Sequence, residues 1–384
     1  MNRIAQLVAI VASLQVAAPG PPPWPAQAGD LSAPSTPLVG APAGRSPALL
    51  QAQWQPQNSG VTARLRGVSA VSEEVAWASG TGGTVVRTVD GGATWQDVSI
   101  PEAAEAALDL RDIDAFDAAT AYALSIGSGG ESRIFKTTDG GATWETQFVN
   151  PEPQGFFDAM SFWDAERGLA VSDSIDGEFY VLRTEDGGRN WVRVPAGAFP
   201  PALPGEGYFA ASGTNVATWG SRHAWMGTGA ASEARVLRTT DRGRNWEVAA
   251  TPLPAGPTTG IYSIAFRDEL NGVVVGGDYA VEDAAVDNVA VTHDGGRTWT
   301  LPFGPGLSGF RSAVASIPQA PNPSWMAVGP SGVDYSINDG SSWMAADASG
   351  FHAIAFARVG TAAWGVGDDG RIERFGPRGD RQER

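Results

Sequence analysis

Carboxylates are the side chains in this sequence best suited to chemistry. Glycoside hydrolysis needs two of them facing a sugar, about 5 to 9 Å apart. Asp173, Asp278 and Glu206 stand in acidic, irregular segments that could supply such a pair. The same kind of segment offers ligand contacts: Asp158 in FFDAM (156–160), Asp173 and Asp176 in VSDSIDG (171–177), Asp278 and Tyr279 in VGGDY (275–279), Arg311 in GFRS (309–312) and Asp334 in VGPSGVD (328–334). A solvated loop charge or a turn cap is the alternative for each. The chain has no cysteine, so disulfides, thiolate metal sites and cysteine redox chemistry are excluded. His223, His293 and His352 are isolated in sequence. The glycine-rich GTGG (80–83) sits between strand-like runs with no helix to follow, so it is no dinucleotide fingerprint. Neither a cofactor nor a metal is expected.

The most conspicuous acids belong to a repeat. TVDGGATW (88–95), TTDGGATW (137–144), TEDGGRNW (184–191), TTDRGRNW (239–246) and THDGGRTW (292–299) are followed by SINDGSSW (336–343), which has Asn338 at the Asp position. Their third residues, Asp90, Asp139, Asp186, Asp241, Asp294 and Asn338, are 49, 47, 55, 53 and 44 residues apart, the length of a four-stranded propeller blade with variable loops. In each copy the Asp suits a turn whose backbone N–H groups it accepts, the Gly permits positive φ, and the Trp opens the next strand. Those residues are Trp95, Trp144, Trp191, Trp246, Trp299 and Trp343. One acid per blade is too few oxygens for Ca²⁺, and Asn338 is what a hydrogen-bonding role tolerates, so the boxes are scaffold.

A second periodic element precedes each box: AWA (76–78), AYA (121–123), GLA (168–170), AWM (224–226), GVV (272–274) and SWM (324–326), with AWG (363–365) after the last box. Alternating apolar strands such as LRGVSAV (65–71) and IYSIAF (261–266) come before them. Seven second strands against six boxes leave the last blade short of an outer strand. LQAQWQ (50–55), with Trp54, is placed to supply it and close the ring. The expected fold is therefore all-β: a seven-bladed propeller of four-stranded blades over residues 50–376, closed by an N-terminal strand, with 377–384 a disordered tail.

Composition agrees with a turn-rich β protein, having 49 Gly, 27 Pro and 14 Trp with 18% charged residues. A net charge of −16 opposes nucleic acid and anionic membrane surfaces as partners. No later segment is long and apolar enough to span a membrane. Residues 1–28 read as a secretory signal, with Arg3, the apolar run 4–18 and an A-x-A site at Ala26-Gln27-Ala28. Residues 29–49 read as a Pro/Ala-rich linker. The expected location is periplasmic or secreted, and a monomer is expected.

The T-x-D-G-G-x-T-W copies resemble the Asp-box (bacterial neuraminidase) repeat shared by sialidases, two-domain xyloglucanases, sortilin-type receptors and photosystem II stability and assembly factor-like propellers. With a lone seven-bladed ring and an export signal, the chain is most similar to the last group and its non-photosynthetic bacterial relatives. Sialidases carry an early Arg followed by Ile-Pro, which is absent here. Xyloglucanases of this type use two tandem propellers. The resemblance implies a non-catalytic propeller that binds a protein or glycan partner, or serves its assembly, through loops at the channel mouth. The alternative is a glycoside hydrolase using the loop carboxylates, and a fold alone does not choose between them.

Overall fold

A computed structural model describes residues 52–377. The expected signal, linker and remaining tail lie outside the described residues. Seven antiparallel sheets follow one another along the chain. The first four comprise Leu65–Ala70, Ala76–Gly80, Val85–Thr88 and Gln96–Asp97; Asp109–Ala115, Ala121–Ile126, Arg133–Thr137 and Glu145–Val149; Phe157–Asp164, Arg167–Ile175, Glu178–Thr184 and Val192–Arg193; and Val216–Trp219, His223–Gly227, Arg235–Thr239 and Glu247–Ala250. The fifth comprises Thr259–Phe266, Gly272–Asp278 and Val289–Thr292, and the sixth Ala313–Ser316, Trp325–Gly329, Gly332–Ser336 and Met344–Asp347. The seventh joins Ala353–Phe356, Ala363–Val366 and Ile372–Pro377 to the first strand of the chain, Ala52–Gln57. Inner strands lie side by side in this order, and the seventh meets the first, which makes the molecule a seven-bladed β-propeller.

The buried apolar side chains form eight clusters, seven of which each fill one gap between neighbouring blades, the eighth being a small group of Ala211, Tyr262 and Phe310. The second-strand positions explain this. Trp77, Tyr122, Trp225, Trp325 and Trp364 are buried to within about a percent, and several reach forward to the next blade. Trp77 donates its indole N–H to Asp117 O (3.1 Å), the Tyr122 hydroxyl to Ala165 O (2.9 Å) and Trp225 to Gly295 O (2.8 Å). An aromatic ring with one polar tip both fills the wedge and anchors the next turn.

Closure uses the N-terminal strand as expected. Ala52–Gln57 pairs antiparallel with Ile372–Pro377, Trp54 opposite Phe375, and the Trp54 ring packs on Phe351 and Phe375 at 4.5 and 5.2 Å. At its end Gln57 Oε1 accepts N–H groups from Trp364 of the seventh blade and Trp95 of the first, both at 3.1 Å. Gln57 Nε2 donates to Gly91 O at 2.9 Å, so one amide joins the two ends of the ring.

The box turns repeat one hydrogen-bond pattern. In the first, Thr94 N donates to Asp90 Oδ1 (2.9 Å) and Thr94 Oγ1 to Oδ2 (2.6 Å), while Gly92 N donates to Thr88 Oγ1 (2.8 Å). These donors, Thr94 foremost, pull the Asp90 carboxyl down to about 2. Two successive residues need positive φ, as Gly91 and Gly92 have at 71° and 85°. Arg242 takes the first of these places in the fourth box at φ 62°, at a cost of about 1 kcal/mol relative to Gly. In the sixth box Asn338 Oδ1 accepts Ser342 N (3.1 Å) and Asn338 Nδ2 reverses the second bond by donating to Ser342 Oγ (2.9 Å).

One blade departs from four full strands. The outer strand of the fifth is reduced to a single bridge, in which Val291 and Thr300 exchange N–H···O bonds at 2.9 and 3.0 Å. The next bonding position along that edge would fall to Pro302, which has no N–H to give.

Replacing Gln57 by Ala strands two indole donors and should cost about 1–3 kcal/mol in urea unfolding. A variant as stable as the parent would show that the amide does not close the ring. Within a box, Asp186→Asn should retain the turn, whereas Asp186→Ala loses the bonds from Asn190 N and Nδ2 and should cost about 1–2 kcal/mol by the same measurement.

Candidate functional site

Bringing seven inner strands round one axis gathers their first residues at one end of the ring. There a cavity of about 290 Å³ opens, lined by side chains from six blades. Arg64 and Arg66 flank Leu65 at the start of the first inner strand, and Arg111 occupies the start of the second. Phe209 and Ala211 come from the segment entering the fourth blade, Tyr262 from the inner strand of the fifth, Phe310 from the approach to the sixth, and His352 from that to the seventh. Tyr279 and Glu282 lie beyond the second strand of the fifth blade.

The aromatics form a packed wall. Phe209 stacks on Tyr262 with centroids 4.1 Å apart and planes 3° from parallel, and Phe310 meets Tyr262 edge-on at 4.7 Å. Tyr279 stands at the rim and is half exposed.

The three guanidinium groups are not equivalent. Arg64 pairs with Asp368 (2.8 Å), and Arg111 pairs with Asp109 (2.8 Å) while donating to Ala210 O (2.6 Å). Arg66 donates from Nε to Ala211 O (2.9 Å) and has no carboxylate partner among the described residues. Burial, then the charges of Arg111 and Arg64, lower its pKa to about 9, so it remains a cation at neutral pH. The remaining N–H groups of Arg66 have the fork geometry that takes a carboxylate, sulfate or phosphate through two parallel bonds.

Among the residues singled out from the sequence, Tyr279 alone lines this cavity. Asp158 is buried beside Asp173 and Arg111, and its Oδ2 has no hydrogen-bond partner. Burial, then the neighbouring Asp173 charge, drives its pKa well above the usual range. Asp173 accepts Tyr208 N at Oδ1 (2.8 Å) and is itself pushed up to about 6 by burial. Glu206 is buried and grips Arg235 through two bonds, with Thr228 Oγ1 (2.8 Å) and Leu203 N (2.8 Å) completing its shell. Its carboxylate staples a loop. Arg311 and Asp334 form a buried ion pair at 2.7 Å. Asp278 caps Ala280 N (2.9 Å), and Asp176 is a turn residue at φ 53°. Among the described residues no group of His, Cys, Asp and Glu is arranged to hold a metal ion, and no helix is long and apolar enough to cross a membrane.

Sequence reasoning passed over Arg64, Arg66, Arg111, Phe209 and Phe310, and took His352 only as an isolated histidine. The available signal was positional: basic residues at the start of inner strands in a chain with 26 Lys and Arg against 42 Asp and Glu.

Residues 108–257, which span the second to fourth blades, match the family model described as photosynthesis system II assembly factor YCF48. No curated protein matches the whole sequence significantly. Among solved structures, YCF48 bound to D1 peptide aligns over 84% of this chain and 96% of its own, at 18% identity and a TM-score of 0.57. YCF48 from Cyanidioschyzon merolae aligns over 84% and 99%, at 15% identity and 0.58. The GH74 xyloglucanase from Xanthomonas campestris aligns over 84% of this chain but 53% of its own, at 16% identity and 0.58. The chain is thus an Asp-box seven-bladed β-propeller resembling the photosystem II assembly-factor propellers.

Because the folded-state pKa of Asp173 lies above the unfolded value of 3.8, its contribution is fully present below about pH 4 and is lost as pH rises through 6. Asp173→Asn should therefore flatten the stability profile between pH 4 and 7 and leave the variant no less stable than the parent at pH 7.5. A parent-like fall in urea midpoint over that range would refute the assignment.

Proposed function

We propose that this propeller is an exported, non-catalytic binding protein, periplasmic or secreted and monomeric, that takes an anionic group of a protein partner into its channel mouth in the service of assembly. The observation that carries this reading is Arg66, a partly buried guanidinium without a carboxylate partner, held in a cavity walled by aromatic rings. An unpaired cation in such a place is costly to the fold, and an incoming anion offsets that cost. Export is supported by the composition of residues 1–28. A peptide ligand is supported by the similar YCF48 propeller, which was solved with a D1 peptide bound. A glycan partner has no comparable support, since the mouth offers more charge than sugar recognition requires.

The three carboxylates considered for hydrolysis are engaged within the fold: Glu206 is committed to Arg235, Asp173 accepts Tyr208 N at 2.8 Å, and Asp278 caps its own loop.

Acidic and neutral peptides of matched length, titrated against the protein, should separate by affinity. The acidic set should bind the more tightly and lose about tenfold or more on Arg66→Ala, as expected for a charged hydrogen-bond pair. Binding indifferent to Arg66 would overturn the site, and sugar release from an aryl-glycoside panel would overturn the non-catalytic reading.

A further inference from the structure

Resting on that reading, the cavity holds one group whose charge is not constant near neutral pH. His352 is fixed at the wall by its backbone, its N–H donating to Val366 O (2.7 Å) and its carbonyl accepting Ser312 Oγ (2.7 Å). Its Nε2 lies 3.0 Å from Asp368 Oδ1 and 3.4 Å from Arg64 Nε. One neighbour asks for a donor and the other for an acceptor, so a neutral imidazole satisfies only one of them. Its Nδ1 makes no hydrogen bond among the described residues, and the residue lines the cavity with Arg66.

We infer that His352 is a proton-dependent partner of the anion at Arg66: an anion seated in the mouth draws a proton onto the imidazole, so the site binds more tightly in acid than at neutral pH.

The charges facing His352 supply the coupling. Arg66 and Arg64 come from the start of the first blade, and Asp368 from the last turn of the seventh. Arg371 lies over Phe351 and is paired to Glu373. From the sixth blade the neighbouring charges are the closed pair Arg311 and Asp334. Glu282 of the fifth blade and Arg111, paired to Asp109, stand elsewhere round the cavity. Burial, then Arg66, holds the imidazole below its ordinary 6.5, and Asp368 only partly opposes them. An anion on Arg66 cancels the second of these effects. The imidazolium then donates Nε2–H to Asp368 and leaves Nδ1–H free. The sign is fixed: a histidine whose pKa rises on binding adds affinity below that pKa and loses it as pH rises through it.

Benzenesulfonate is a suitable probe, being an aromatic anion that does not itself titrate between pH 5 and 8. The chain has only three histidines, so the His352 imidazole can be followed by NMR with His223 and His293 as internal controls. The expected result is a His352 pKa below 6.5 in the free protein that rises by roughly half a unit or more on saturation, with affinity about three- to tenfold higher at pH 5.5 than at pH 8. Arg66→Ala should abolish the rise. Asp173 and Asp158 also lose charge in acid, so His352→Asn should keep only their share of the pH dependence. Tight binding with an unmoved His352 pKa overturns the proton link and leaves the anion site intact. Absence of binding, or binding unaffected by Arg66→Ala, overturns the anion site and the link with it.

Discussion

Closure is the constraint on which the structure depends. Each blade buries its apolar face only against the next, so an open row of seven sheets would leave two faces and an edge exposed to water. The chain resolves this with six residues at one end. Ala52–Gln57 completes the seventh sheet, and Gln57 ties the Trp364 indole of the last blade to the Trp95 indole of the first. Gly92 belongs to the same arrangement, because a Cβ there would collide with the Gln57 amide. The box glycine usually explained by its positive φ is thus also needed for space.

The seven wedges are alike in kind but not in side chain. Second-strand positions alternate among Trp, Tyr, Leu and Val, and where the residue is small the neighbouring box compensates: the Val273 wedge is filled by Trp325 and Trp343 from the following blade. Between the fifth and sixth blades Arg267 reaches Asp339 through two bonds of 2.8 and 2.7 Å, while Asp339 also accepts the Trp325 indole (3.1 Å). Asp339 holds φ 58° where four of the other boxes have Gly and the fourth box has Arg242. Its carboxylate contacts offset that strain, which explains how the most divergent box remains in register.

The architecture was legible in the sequence because it is periodic. Box spacing, second-strand Trp and the seven-against-six count all report local geometry repeated many times, and Trp54 followed from the missing strand. The cavity was not legible in the same way. Its walls come from Arg64 to His352, brought together by the ring and by nothing local, and each contributing segment offers one to three residues. The acids in irregular loops are more conspicuous in sequence, and most of these serve the scaffold. Glu206 and Asp334 each neutralise a buried arginine, a pairing that becomes visible only when strands far apart in sequence are adjacent. The shortened fifth blade was readable in principle, since Pro302 follows Trp299 by three residues.

An acidic protein with a basic mouth has a further physical consequence. At net −16 the surface repels anions at a distance, while Arg64, Arg66 and Arg111 attract them within the cavity. Salt shortens the repulsion more than it weakens contacts made in a partly enclosed, low-dielectric pocket. At the proposed site, selection therefore falls on anions carried by a body that compensates in shape or apolar area, not on free ions drawn by charge. The stacked pair Phe209 and Tyr262, with Tyr279 at the rim, supplies that second requirement from residues adjoining the same strand starts that deliver the arginines. Cation and aromatic wall are fixed to different blades, so their spacing is set by ring closure, and the strand ending at Gln57 shapes the mouth although it contributes no side chain to it.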